Sequence, residues 1–365
     1  MSQLSNIGDL MIVSFILLLV APLQASPQMQ LPTGFHLSVW AKVPDARSLT
    51  LGSAGTVFVG TRRDGRVFAL RDNDGDGKAD RRWTLLRGLD MPNGVAFHGG
   101  ALYVAESGAI WRLAHIEAHL DQPPAPELVH KLKAYRHHGW RYIAFGPDGR
   151  LYVSLGAPCN VCEPGDFGAI WRLRPDGSDF APYALGVRNS VGLAFHPRSG
   201  ELWFTDNGRD WLGDDLPSDE LNHATAADQH FGFPYCHGGD LPDPDFGAGH
   251  PCSEFVPPVQ KLGAHVAALG LRFYTGEQFP KPYRGQVLIA QHGSWNRSTP
   301  VGYRLSLVRL AADRAVAYRP LVSGWLAADG RVSGRPVDLL VLGDGSLLIS
   351  DDAGGRIWRL SYNAE

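Results

Sequence analysis

The sequence predicts an all-β protein, a six-bladed β-propeller of four-stranded antiparallel blades. Three observations predict it. Behind a turn glycine, a four-residue run of aromatic and branched residues recurs six times, at 57–60 (VFVG), 102–105 (LYVA), 151–154 (LYVS), 202–205 (LWFT), 287–290 (VLIA) and 347–350 (LLIS). A second run with an aromatic and usually a basic residue follows at 66–70 (RVFAL), 109–113 (AIWRL), 169–173 (AIWRL) and 356–360 (RIWRL). Most units lie about 45 to 60 residues apart, the period of a four-stranded propeller blade. Finally, 43 glycines and 26 prolines supply the turns, and no helical period of useful length follows residue 25. A β-sandwich is the architectural alternative, but six copies of one strand pair favour a radial repeat.

Taken along the chain, the first element is the apolar, uncharged stretch 10–21 (LMIVSFILLLVA), too short to span a bilayer comfortably and followed by small residues near Ala25. It reads as a secretory signal over 1–25, with a retained anchor as the alternative, which leaves 26–365 as a single propeller domain in the periplasm or outside the cell. No stable membrane span is expected after cleavage. A formal net charge of -3, without a long basic run, excludes nucleic acid as a partner. Four cysteines in an exported chain point to two disulfides, Cys159 with Cys162 and Cys236 with Cys252.

The loops between units carry the candidate chemistry. Asp72, Asp74 and Asp76 alternate along DNDGDGKAD (72–80), the oxygen-rich spacing of a hard cation, with a solvated acidic turn as the alternative. RHHGWR (136–141) puts His138 on a loop entering a unit, where a neutral imidazole can accept a proton near pH 7. Arg188 beside Asn189 joins a fixed cation to an amide, a pairing suited to an anionic, carbonyl-bearing ligand. His292, Arg297 and Arg335 fall in later loops, so basic groups can ring one axis. The longest interval, from Asp206 to Gly285, reads as a loop-like insertion on this face, rich in Gly, Pro, Asp and His. No GxGxxG, Walker loop, HExxH or GxSxG elbow is present, which removes the common nucleotide-binding and hydrolase layouts.

His138 ahead of FGPD (145–148), Arg188-Asn189 ahead of GLAF (192–195), the stretch from TDNG (205–208) to DELN (219–222), and Gly334-Arg335 ahead of Asp338 together resemble the soluble PQQ-dependent glucose and sorbosone dehydrogenases, across nearly the whole mature chain. The resemblance implies bound pyrroloquinoline quinone (PQQ) and calcium, and oxidation of an aldose or aldehyde-sugar to a lactone or acid. Electrons would then pass to an external acceptor, a quinone or cytochrome c. It implies His138 as base, Arg188 as a catalytic and cofactor-binding group, and Asn189, Asn207, His292, Arg297 and Arg335 as cofactor contacts. The carbonyls of Gly208 and Arg209 would ligate the calcium on the quinone, and Glu220 a structural calcium. Four positions depart from the glucose dehydrogenase pattern: His137 replaces an aspartate, His292 falls near a lysine, Val337 replaces an arginine, and a glutamine near Asn93 is missing. The pattern is similar to the sorbosone branch instead. The alternatives from other classes are a calcium-dependent propeller lactonase or esterase and a noncatalytic binding propeller of the cell envelope.

Overall fold

The computed structural model describes residues 28–364. The signal at 1–25 lies outside the described residues, among which no helix is long and apolar enough to cross a membrane.

Six sheets follow one another around an axis. Blade 1 holds Ala46–Leu51, Val57–Thr61, Val67–Arg71 and Arg81–Leu86. Blade 2 holds Gly94–His98, Ala101–Glu106, Ala109–Leu113 and Glu127–Lys131. Blade 3 begins with Ile143–Phe145, Leu151–Leu155, Ala169–Leu173 and Ala181–Leu185. Blade 4 holds Leu193–Phe195, Leu202–Asp206, Ser218–Ala224 and Gln260–Ala264. Blade 5 holds Ala268–Phe273, Val287–Gln291, Arg304–Ala311 and Arg314–Val322. Blade 6 takes Pro336–Val341, Leu347–Asp351 and Arg356–Tyr362 from the C-terminus and its outer strand, Phe35–Lys42, from the other end of the chain. All six runs singled out in the sequence are second strands, and their partner runs are third strands.

The repeat has a physical basis. Second strands are buried on both faces, which selects aromatic and branched side chains. Two third-strand tryptophans make the same cap, Trp111 Nε1 donating to Glu106 at 2.8 Å in blade 2 and Trp358 Nε1 to Asp351 at 3.1 Å in blade 6. Apolar clusters then fill the seams between blades. Trp40, Val57, Phe68, Leu348 and Ile357 seal the seam where the ring closes.

Two expectations change. The interval from Asp206 to Gly285 is not simply an insertion of loop, because it contains two strands of blade 4 and the first of blade 5. Its strand Ser218–Ala224 (SDELNHA) lacks an apolar signature because Asp219, Glu220 and Asn222 are buried through hydrogen bonds instead. The blades are also not uniformly four-stranded and antiparallel. Gln229–His230 adds a short parallel fifth strand to blade 3. Beyond it a two-residue hairpin, Cys236–His237 with Leu241–Pro242, is tied by the Cys236–Cys252 disulfide.

Candidate functional site

Antiparallel order puts the connections between blades on the same face as those joining second to third strands. Those loops surround a cavity of about 540 Å³. His138 comes from the loop before blade 3, Arg188 and Asn189 from the loop before blade 4, and Arg335 from the loop before blade 6. Asn207 and Gly208 follow a second strand of blade 4, and His292 follows that of blade 5.

His138 is buried, with a φ of 52°, a left-handed conformation unusual for a side-chain-bearing residue. Its Nδ1 lies 2.9 Å from the Ala157 carbonyl, so Nδ1 carries the proton and Nε2 keeps the lone pair. Burial, reinforced by Arg188, His137 and Arg141, holds its pKa well below 6.5, and the ring is neutral at pH 7. Two neighbours set its position. Arg141, fully buried, donates to the carbonyls of His138 (3.2 Å), Ser107 (3.3 Å) and Lys133 (3.0 Å). Gly156 leaves room, since a Cβ there would lie 2.6 Å from the His138 Cβ.

Arg188 is also buried. Its Nε donates to the Asn160 carbonyl and Nη2 to Asn160 Oδ1, each at 2.8 Å, while Nη1 donates to the carbonyls of Gly208 (2.8 Å) and Asn207 (3.1 Å). Asp210 stands 3.3 Å from Nη2. The backbone beneath is fixed by Asp206, which accepts the N–H groups of Arg188 (2.8 Å) and Asn189 (2.6 Å); burial and Glu220 push this carboxyl up to about 8. Asn160 sits inside the Cys159–Cys162 disulfide loop.

The remaining lining gives the cavity its sign. Among the described residues, Arg47, Arg62, Arg63, Arg136, Arg188 and Arg335 face it against two carboxylates, those of Asp210 and Asp219. Arg47 is neutralised by Asp352 at 2.9 Å, and Arg62 lies over the Trp140 ring at 4.2 Å. Burial pushes His292 down to about 4, so it is neutral at pH 7, and its Nε2 donates to Asp352 at 2.8 Å. The net excess of guanidinium suits an anion.

A protein of Borreliella burgdorferi, described only as uncharacterized, is 32% identical over 361 residues, covering 94% of this chain and 93% of its own. The model of the Glucose / Sorbosone dehydrogenase family matches residues 127–294, the segment that contributes His138, Arg188, Asn207 and His292. Over this segment the chain matches the glucose/sorbosone dehydrogenase family. A TrAA12-like model matches residues 245–363. Among solved structures, the holo PQQ domain of pyranose dehydrogenase from Coprinopsis cinerea is 19% identical, covering 92% of this chain and 97% of that one, with a TM-score of 0.78. The calcium structure of a family AA12 carbohydrate-active enzyme from Trichoderma reesei is 22% identical over 93% and 98%, with a TM-score of 0.80. PQQ-bound aldose sugar dehydrogenase from Streptomyces coelicolor is 21% identical over 92% and 100%, with a TM-score of 0.67. At these identities the likeness is one of fold.

Within the glucose/sorbosone dehydrogenase frame, the residues expected at the site divide. His138, Arg188, Asn189, Asn207, His292 and Arg335, with Gly208, meet at the cavity. Arg297 does not line it and instead joins two loops, donating to the Asp214 carbonyl and, at 3.2 Å, to Asp215. The Arg209 side chain pairs with Asp243 at 2.5 Å. Glu220 is buried behind Gly208, accepting the Gly238 N–H at 2.7 Å, and burial pushes it up to about 7. Asp72 and Asp74 lie in a third-to-fourth-strand loop on the opposite face, where they converge with Asp80 rather than Asp76.

Several lining groups carried no local signal in the sequence. Arg47 belongs to an inner strand, Arg62 and Arg63 to a short turn, and Asp210, His265 and Asn296 to loops that only the ring closure brings together.

The lining fits a polycarboxylate such as PQQ: arginines face the cavity from several blades, and Asn189 offers a neutral amide. It does not, as it stands, fit a calcium ion on Gly208, because Arg188 already donates to that carbonyl and a divalent cation there would face a guanidinium.

Proposed function

We propose that this protein is an exported PQQ-dependent dehydrogenase that oxidises an aldose or aldehyde-sugar of the sorbosone kind. One observation carries the reading: a buried, neutral histidine with its tautomer fixed stands in a cavity lined by arginines. PQQ, when bound, supplies an acceptor for hydride and carboxylates for those arginines. Arg335 and Arg62 would hold the carboxylates, with Asn189 and Asn207 as neutral partners, while Arg188, whose N–H groups are committed within the protein, would contribute its charge alone. His292, being neutral, adds hydrogen bonding without the charge of a lysine.

The chain's own part in the reaction is proton management. Nε2 of His138 accepts the hydroxyl proton on the carbon being oxidised, so that the C–O bond gains double-bond character as hydride departs. An aldose yields a lactone, and a hydrated aldehyde yields an acid. A conjugate acid beside Arg188 is unstable, which favours passing the proton on. The exposed ring of His137, 4.1 Å away between centroids, leads toward solvent. With a hydride acceptor bound, Arg188 would supply positive charge to offset the negative charge developing there. Six arginines against two carboxylates disfavour the hydrolase alternative, whose metal would need the opposite balance. The two disulfides accord with an oxidising compartment.

The test is reconstitution with PQQ and calcium, followed by dye-linked oxidation of an aldose and aldehyde panel. Sugar-dependent dye reduction that requires PQQ and collapses in His138→Ala supports the reading; failure to bind PQQ overturns it.

A further inference from the structure

Charge is not spread evenly around the cavity. The carboxylates that line it come from blade 4 and are committed: Asp210 accepts Nδ2 of Asn296 at 2.8 Å and faces Arg188, while Asp219 accepts the N–H groups of Gly208 (2.9 Å) and Ala267 (2.7 Å). Another flank, built from the turn 61–66 of blade 1 and the loop before blade 3, contributes Arg62, Arg63 and Arg136. Arg62 over Trp140 brings turn and loop together, and burial with the charges of Arg47 and Arg63 holds its pKa below the ordinary arginine value. Arg136 and His138 share one tight turn, closed by the Gly139 N–H donating to the Arg136 carbonyl at 3.3 Å.

Exposed arginines are ordinary on a surface, but here the acids nearest in sequence are all turned to other partners. Asp45 accepts the backbone N–H groups of Arg62 (2.8 Å), Arg63 and Asp64 (2.9 Å), which pins the turn. Asp64 forms a fork with Arg66, 2.6 Å to both Nε and Nη2, and Asp166 pairs with Lys133 on the loop that carries Arg136. Among the described residues, the guanidinium groups of Arg63 and Arg136 have neither a carboxylate partner nor a hydrogen bond. Uncompensated guanidinium groups that line one cavity from two fixed turns are the arrangement of an anion receptor. With Arg335 and Arg62 turned to PQQ carboxylates, Arg63 and Arg136 remain at the mouth.

We propose that Arg63 and Arg136 form an anion subsite on the His138 side of the cavity, so that the substrate is an aldose carrying its own oxyanion, a carboxylate or phosphate, far from the carbon oxidised. The proposal rests on the dehydrogenase reading of the same cavity. The step at the anomeric carbon is the one above: the hydroxyl proton passes to His138, hydride passes to the acceptor, and the lactone formed keeps the charge of the substrate. A guanidinium binds either oxyanion through paired N–H donors, whereas a neutral aldose offers it only hydroxyl groups.

The experiment titrates the protein, before and after loading with PQQ, with glucose, glucuronate and glucose 6-phosphate. Calorimetry reports binding, and dye reduction reports turnover. One charge-assisted contact predicts that an anionic sugar binds about tenfold more tightly than glucose in both states, and the two anions tell a carboxylate site from a phosphate site. Raising salt to about 1 M should shrink that ratio, because the groups are exposed. Arg63→Gln and Arg136→Gln together are expected to bring it close to one, with PQQ affinity and the thermal midpoint retained. Equal affinities for charged and neutral sugars in the wild type, or a preference that survives in the double variant, overturn the subsite. So does a preference abolished by PQQ loading, or a double variant that no longer binds PQQ, since the arginines then serve the cofactor. Preferential binding of an anionic sugar without oxidation of any sugar upholds the subsite and fails the dehydrogenase; oxidation of glucose with no preference for charge does the reverse.

Discussion

His138 shows how one side chain is prepared for a task by groups distant in sequence. The Ala157 carbonyl chooses its tautomer, Gly156 gives it room and Arg141 fixes its backbone. Removing a positioned general base costs about 10²- to 10⁴-fold in rate, so His138→Ala should lose that much in kcat while still binding PQQ. Because the folded pKa lies below 6.5, kcat/KM should rise with pH through an inflection below 6.5 and be flat from pH 7 upward. An inflection above 6.5 in a pH–rate profile would contradict the environment described. The same shift sets a stability trend. His138 and His292 are both depressed, His292 to about 4, so the unfolded chain takes up these protons first. Their contribution is full above about pH 6.5 and is lost as pH falls toward 4, which urea titrations across that window will check. His138 and Arg188 were legible because each stands in a local motif. The loss of charge at His292 was not, since the burial and the Asp352 contact responsible arise from residues far apart in the chain.

At the level of loops and strands, the Cys159–Cys162 loop is the support of Arg188. Asn160 gives Arg188 two acceptors, donates through Nδ2 to the Asp210 carbonyl and accepts the Asp210 N–H. Asn160→Ala removes one charge-assisted bond and the link to Asp210, and should weaken PQQ binding by about tenfold with little change in the thermal midpoint. Equilibrium titration of the cofactor measures it. The disulfide pairs were readable from four cysteines in a chain whose sequence reads as exported, but the role of Asn160 was not. The interval after Asp206 was harder still. A strand buried through Asp219, Glu220 and Asn222 has none of the apolar alternation by which strands are recognised.

The whole molecule depends on closing a ring. Phe35–Lys42 pairs with Arg356–Tyr362, so the first described strand and the last form one sheet. Below the cavity, at the axis, Asp338 of blade 6 accepts the Leu49 N–H at 2.8 Å and the Tyr142 hydroxyl at 3.2 Å, with Arg272 of blade 5 at 3.5 Å. These contacts join the inner parts of four blades. Asp338→Ala leaves Arg272 without its partner and is expected to cost about 3 kcal/mol of unfolding free energy, measured by urea denaturation. Blade number was legible because six second strands share one composition. The axial ties were not, because they link residues up to 289 positions apart.

In the reaction proposed above, His138 removes a proton from a sugar held against PQQ in the arginine-lined cavity. Its most direct test is anaerobic single-turnover reduction of the bound cofactor by sugar, followed by absorbance, in the wild-type protein and in His138→Ala loaded to equal occupancy. Sugar-dependent reduction is expected to be rapid in the wild type and at least about 100-fold slower in the variant. Equal rates in the two proteins, or no reduction of bound cofactor by any sugar, would contradict it.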